Sequence, residues 1–303
     1  MKIAICAALY EAGRPFLAEF SQAVRVAAAG HDAIFVAAVD GLENSRDALA
    51  DIAKDIDVVT VDVPVGHTPA GVRGAMLTAG QSTGADILVF IDMDDVIAPR
   101  ALDRHLVALA WADFSYGDLD LIDASGQSLG RCFFDDADVP DRVDDVTAVC
   151  DRNFLGFSNT AVWADRIAPV ALIVPEDVIA ADWWFFTMLL LGGLRGKKAA
   201  GAIASYRLHD ANILGAGAPG TKSQAIAQSE AMLRHYRAFS AHPALAGRAD
   251  DAEQVIARLR SLNPQEISAH LGTCGDDSGA WFEGIGRLAQ RLDTAPLADA
   301  VGQ

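Results

Sequence analysis

Apolar and polar positions change period several times along the chain, and each change marks a separate element. Short apolar runs at Lys2 to Ala8, Ala33 to Val39, Val58 to Val63 and Ile87 to Ile91 end in turn residues and read as buried strands. Between them the spacing turns helical. Pro15 to Ala29 places Phe16, Leu17, Phe20, Val24 and Val26 on one face, and Gly30 closes it. Asn44 and Ser45 can cap a helix running to Asp55, Pro64 to Gly71 reads as a loop, and Val72 to Ser82 reads as a helix. Pro99 opens another helix to Trp111, and Phe114 to Ile122 is a strand entering the turn Asp123-Ala124-Ser125-Gly126. Strand–helix alternation over the first 120 or so residues predicts a parallel, Rossmann-like sheet flanked by helices.

The later pattern differs. Gln127 to Asp151, with Asp135, Asp136, Asp138, Asp141, Asp144 and Asp145, predicts an acidic loop with short strands. Asp182 to Leu191 predicts an apolar helix ended by Gly192-Gly193, with Trp183 and Trp184 in the core, and Ala199 to Tyr206 a last strand. From Lys222 onward Ala225, Ile226, Met232, Leu233, Tyr236 and Phe239 recur at helical spacing, and Ile256, Leu259 and Leu262, Ile267 and Leu271, then Phe282, Ile285 and Leu288 mark three further helices. The Gly- and Pro-rich stretch 215–220 predicts a boundary between a domain over 1–215 and a helical region over 216–303, whose helices could pack on the main domain or form a homodimer.

Composition narrows the function. The chain has 303 residues, 51% of them hydrophobic, and a formal charge of -17, so it can bury a large core. With a pI near 4.6 it lacks the basic surface that nucleic acid or an anionic membrane would demand. No apolar stretch is long enough to span a bilayer, Trp183 to Leu191 included. Cys6, Cys132, Cys150 and Cys274 form no C-x-x-C pair, which predicts neither zinc nor a disulfide framework and fits a reduced, cytoplasmic setting.

The run Ile87 to Ile91 stops at Asp92-Met93-Asp94-Asp95. In an open α/β sheet, ligands sit beyond the carboxyl ends of the strands, and carboxylates crowded there need a partner such as a divalent cation. Asp92 and Asp94, alternate residues of an extended segment, can face one ligand. This D-x-D-D block, Pro99 and its helix, the strand with Tyr116-Gly117-Asp118 and the turn at Asp123 together resemble a family 2 glycosyltransferase of the GT-A fold, over residues 1 to about 215.

That resemblance implies a metal-dependent, inverting transfer of a sugar from a nucleotide-diphosphate donor to an acceptor hydroxyl, with Mn2+ or Mg2+ as cofactor. It implies that Asp40, ending the second strand, contacts the nucleobase. Asp92 and Asp94 correspond to the D-x-D motif that holds the metal on the diphosphate, with Asp92 also touching the donor. Asp182, in AADWWFF, corresponds to the catalytic base. Tyr206-Arg207-Leu208-His209 with Asn212 resembles the family's closing Y-R-x-H-x-x-N segment, which implies a donor contact by Arg207 and a metal or phosphate contact by His209. The chain departs from the pattern in two places. Ala181 stands where an acidic residue usually precedes the base, which leaves either Asp182 or the pair Glu176 and Asp177. No Ala-Arg-Asn segment is evident, and Arg73 is the nearest basic candidate.

Two other readings compete. VFIDMDDVIAP also resembles the nucleophile motif of haloacid-dehalogenase phosphatases, with Asp92 forming an aspartyl-phosphate, Lys197 recruited, and Gly275-Asp276-Asp277 as the distal acidic pair. That family's nucleophile ends the first strand of its domain, whereas three strand–helix units precede Asp92. A non-catalytic sugar-nucleotide-binding module would account for Ala181 and the missing Ala-Arg-Asn segment.

Overall fold

The structure is a computed structural model that describes residues 1–64, 66–135, 138–209, 219–263, 266, 281–282, 285–286, 288–289 and 292. Asn212, the boundary stretch 215–218, Ile267, Leu271, Cys274 and 275–277 lie outside these residues.

Elements alternate as the periodicity predicts. In chain order they are β1 (Lys2–Tyr10), α1 (Leu17–Ala28), β2 (Asp32–Asp40), α2 (Ser45–Ala48), β3 (Asp57–Asp62), α3 (Pro69–Ser82), β4 (Ile87–Phe90), β5 (Val96–Ile97), α4 (Ala101–Leu109) and β6 (Phe114–Ile122). Then come β7 (Ser128–Cys132), β8 (Arg142–Val143), β9 (Thr160–Trp163), α5 (Ala181–Leu191), β10 (Gly196–Arg207), α6 (Lys222–Ala238) and α7 (Arg248–Ser261).

Two helical expectations shift. The helix expected from Asn44 to Asp55 is only α2 and a 3-10 turn, Ile52–Lys54. Asp47, Asp51 and Asp55 recur every four residues and would repel along one face of a continuous helix. In contrast α3 starts earlier than expected. The Thr68 hydroxyl accepts from the Gly71 N–H at 3.2 Å and Pro69 opens the first turn, so the expected loop already carries a helix start.

Strand order is β3-β2-β1-β4-β9-β6-β10-β5, with β7 on β6 and β8 on β10. The strands β1 to β4 are mutually parallel, β10 runs parallel to β6, and β9 is antiparallel to both β4 and β6. All the parallel strands therefore end on one edge of a mixed, mostly parallel sheet. Strands β1, β2 and β4 are buried along nearly their whole length, as double-sided cover by helices requires. Helix α3 packs on β1 and β2, and α4 on β6 and β10.

Helix α5 is apolar on all sides, and Trp183, Phe185 and Phe186 are fully buried. The C-terminal helices share this core. His235 of α6 stacks on Trp183 with ring centres 3.9 Å apart, and the Tyr236 hydroxyl donates to the Cys150 carbonyl at 2.9 Å. No helix among the described residues is long and apolar enough to cross a membrane.

Candidate active site

A cleft of about 420 Å³ opens at the carboxyl edge of the sheet. It is lined by Tyr10 and Asp40 from the ends of β1 and β2, Arg73 from α3, Asp92 and Asp94 beyond β4, and Asp182 from the first turn of α5. These residues span about 170 positions of chain, from Tyr10 to Asp182, and the sheet gathers them because its parallel strands all end here.

Asp92 and Asp94 are placed differently within the same short turn. Asp92 Oδ1 lies 2.5 Å from Arg73 Nη2, while its backbone N–H donates to Ser158 Oγ at 3.1 Å. The Arg73 guanidinium also lies over the Phe157 ring, 5.5 Å from its centre. Burial pushes the Asp92 carboxyl above the usual carboxylate range; Asp94 adds to this and Arg73 opposes it. Asp94 Oδ2 lies 2.9 Å from His209 Nε2. Next to them Asp95 is buried, with Oδ1 accepting the Arg207 N–H at 2.8 Å and Oδ2 without a hydrogen-bond partner. Its carboxyl is pushed well up by burial first, then by the charges of Asp94 and Asp92.

The residues present suit a hard divalent cation. Asp92, Asp94 and His209 offer carboxylate oxygen and imidazole nitrogen, and Asp95 Oδ2 beside them is buried without a hydrogen-bond partner, while Asp92 Oδ1 is paired with Arg73. The three expected ligands do not converge on one point as they stand. Asp94 and His209 face each other, and Asp92 faces Arg73. Among the described residues the tight three-ligand cluster is instead Asp118, Cys132 and Asp135, on β6 and around β7.

Arg207 requires a correction. The resemblance places it at the donor, whereas the structure buries it to 1% exposure beneath the cleft and outside its lining residues. Its Nε donates to the Asp94 carbonyl at 2.8 Å, Nη2 to Glu19 Oε2 at 2.5 Å, and Nη1 reaches the Asp123 and Ala124 carbonyls. Along a strand successive side chains face opposite ways, so when Tyr206 turns to the cleft Arg207 turns beneath it. Arg207 thereby holds the Asp94–Asp95 turn from below, and Arg73 is the arginine inside the cleft.

Asp182 sits on the cleft wall with Oδ1 accepting the Trp183 N–H at 2.7 Å. Burial pushes its carboxyl up to about 6; Asp92 adds to this, and the Trp183 N–H and Arg73 oppose it. The alternative pair, Glu176 and Asp177, is exposed and outside the cleft. Lys197, which a phosphatase would need near Asp92, lies near the start of β10, at the opposite edge of the sheet, paired with Asp141. Trp183 and Trp184 are core residues, as expected.

One wall was not foreseen from the sequence. Trp281 and Phe282 from the C-terminal region line the cleft. The Trp281 carbonyl accepts the Asn153 N–H at 2.9 Å, and Phe282 stacks on Trp183 with ring centres 4.7 Å apart.

No family model matches the sequence, and no curated protein does. Solved structures match in fold. A mannosyltransferase, PcManGT from Pyrobaculum calidifontis, in complex with GDP-Man and Mn2+, aligns at a TM-score of 0.59 and 12% identity over 99% of this chain and 88% of its own. S. aureus TarS aligns at 0.58 and 12% identity over 89% of this chain, which spans only 45% of that longer one. TarS 1-349 in complex with UDP-GlcNAc aligns at 0.55 and 12% identity over 97% of this chain and 91% of its own. At such identity the likeness is one of fold, and the fold is of the GT-A type.

Proposed function

We propose that this protein is a metal-dependent, inverting glycosyltransferase that moves a sugar from a nucleotide-diphosphate donor to an acceptor hydroxyl. The observation that carries the reading is the convergence of Asp40, Asp92, Asp94 and Asp182 on one cleft, at the edge where a GT-A sheet binds its ligand. Two structures of like fold hold GDP-Man with Mn2+ and UDP-GlcNAc, which supports a nucleotide-sugar donor.

In this reading Asp40 accepts hydrogen bonds from the nucleoside at the end of β2. Asp92, Asp94 and His209 would hold Mn2+ or Mg2+, and the metal when bound would supply positive charge toward the leaving diphosphate. Arg73, which lines the cleft beside Asp92, would meet the diphosphate. Asp182 takes the proton of the acceptor hydroxyl, whose oxygen attacks the anomeric carbon. The bond from that carbon to the phosphate oxygen breaks, its electron pair stays on the phosphate, and nucleoside diphosphate departs from the face opposite the attack. The anomeric centre is inverted. A carboxyl held near 6 is a stronger base than an ordinary aspartate and is still mostly ionised at neutral pH.

Thermal unfolding of wild type and Asp94→Asn with UDP or GDP, with and without Mn2+, tests the assignment. The wild type should be stabilised by nucleotide and metal together, and Asp94→Asn should lose the metal-dependent part. Equal stabilisation of both proteins would show that the metal site is elsewhere, and phosphate release from simple phosphate esters would replace transfer with hydrolysis.

A further inference from the structure

The cleft has two chemically different ends. Along the strand order, β2 and β1 lie at one side of β4, while β9, β6 and β10 lie at the other. Asp40 and Tyr10 therefore stand at one end, the Asp92–Asp94 turn with Arg73 paired to Asp92 in the middle, and Tyr206 with Trp281 at the far end. The first end offers charge and hydrogen bonds, which suits a nucleoside diphosphate. The far end is aromatic, formed by Tyr206, Trp281 and Phe282, and the Asp182 carboxylate lines the same cleft with Asp92 and Arg73 as its charged neighbours.

Trp281 is built into this far end rather than lying loosely upon it. Its ring packs on Phe133 with centres 4.4 Å apart and meets Tyr206 edge-on at 5.6 Å. Its backbone pairs antiparallel with Asn153. Gly156 lies flush against the ring, and a Cβ there would come within 2.8 Å of it. Phe282 follows in a left-handed conformation (φ 70°), which a bulky residue adopts only where packing holds it. Despite these contacts the indole is only half-buried, and it lines the cleft together with Asp182.

We infer that Trp281 is the platform of a saccharide acceptor site, on which a pyranose ring lays its apolar C–H face while one hydroxyl points to Asp182. An uncharged sugar is apolar on its ring faces and polar at its rim. A rigid aromatic wall in a cleft that also carries the Asp182 carboxylate matches that chemistry, whereas a diphosphate would gain nothing from the aromatic wall. The inference rests on the transfer reading above and adds the acceptor's chemical class and the residue that selects it.

Saturation-transfer NMR separates the two ideas. The probes are methyl glycopyranosides of glucose, mannose and N-acetylglucosamine and the matching disaccharides, each added to full-length protein loaded with UDP or GDP and Mn2+. Wild type, Trp281→Tyr and Trp281→Leu are compared, and stabilisation by nucleotide with Mn2+ is measured on all three. The expected result is ring-proton transfer to at least one saccharide in wild type and Trp281→Tyr. In Trp281→Leu, binding should be about tenfold weaker, the scale of one lost aromatic contact, with nucleotide stabilisation kept. Equal saccharide binding in wild type and Trp281→Leu overturns the platform and leaves the transfer reading standing. Absence of saccharide signals from wild type across the panel overturns it as well. Loss of nucleotide stabilisation in wild type removes the transfer reading and the platform with it.

Discussion

Asp182, the base of the proposed transfer, would serve chemistry at a cost to the fold. Its carboxyl titrates at about 6 rather than 3.8, mainly through burial. Below about 6 it carries a proton and cannot accept another, so kcat/KM should fall on the acid side with a limb near that value. Asp182→Asn should flatten the limb and lower kcat by about 10²–10⁴-fold; a limb unchanged in that variant would assign the base elsewhere. Stability runs in the opposite sense to a typical carboxylate. The folded pKa lies above the unfolded one, so the folded state binds the extra proton, and the contribution is full below about 3.8 and lost as pH rises through about 6. Asp182→Asn should therefore be more stable than wild type at pH 7, by about 3 kcal/mol, in urea denaturation. Much of this residue-level picture was legible in the sequence, because Asp40, Asp92 and Asp94 stand where apolar strands stop and Asp182 where an apolar helix begins. Trp281 was not. Its partner Asn153 is more than a hundred residues away, and no local period records such a contact.

At the scale of elements, the turn after β4 depends on β10. The guanidinium of Arg207 joins the Asp94 carbonyl to Glu19 of α1, and its backbone N–H satisfies Asp95, so three elements meet at one buried charge. Arg207→Met should lower stability by about 2–4 kcal/mol in chemical denaturation, the cost of losing hydrogen bonds from a buried charged group. Stabilisation by nucleotide with Mn2+ should fall too, because the Asp92–Asp94 turn loses its support. A variant that kept its stability and lost nucleotide binding alone would restore Arg207 to a donor contact. The Y-R-x-H resemblance names Arg207 but says nothing of strand alternation. In sequence Arg73 stands only as the nearest basic residue to a missing Ala-Arg-Asn segment, and the packing of α3 on β1 and β2 is what brings it to the cleft.

For the whole molecule, the strand–helix alternation made the parallel half of the sheet legible, and the position of β9 was not. Its residues, Thr160–Trp163, are a short apolar stretch like several others, and only the full sheet shows it lying antiparallel between β4 and β6. That placement has a kinetic meaning. Strands β1 to β4 pair within the first ninety or so residues, whereas β9 and β10 must return across long intervening segments, and such distant pairings form late. Pulsed hydrogen exchange during refolding should show amides of β1, β2 and β4 protected in an earlier phase than those of β9 and β10. Simultaneous protection would mean that the sheet closes in one step. The chain would thus acquire its carboxylates early and their frame late. A folding intermediate would then carry Asp92 and Asp94 on a formed strand with nothing beneath them, and ligand capture would report that the last strand had docked.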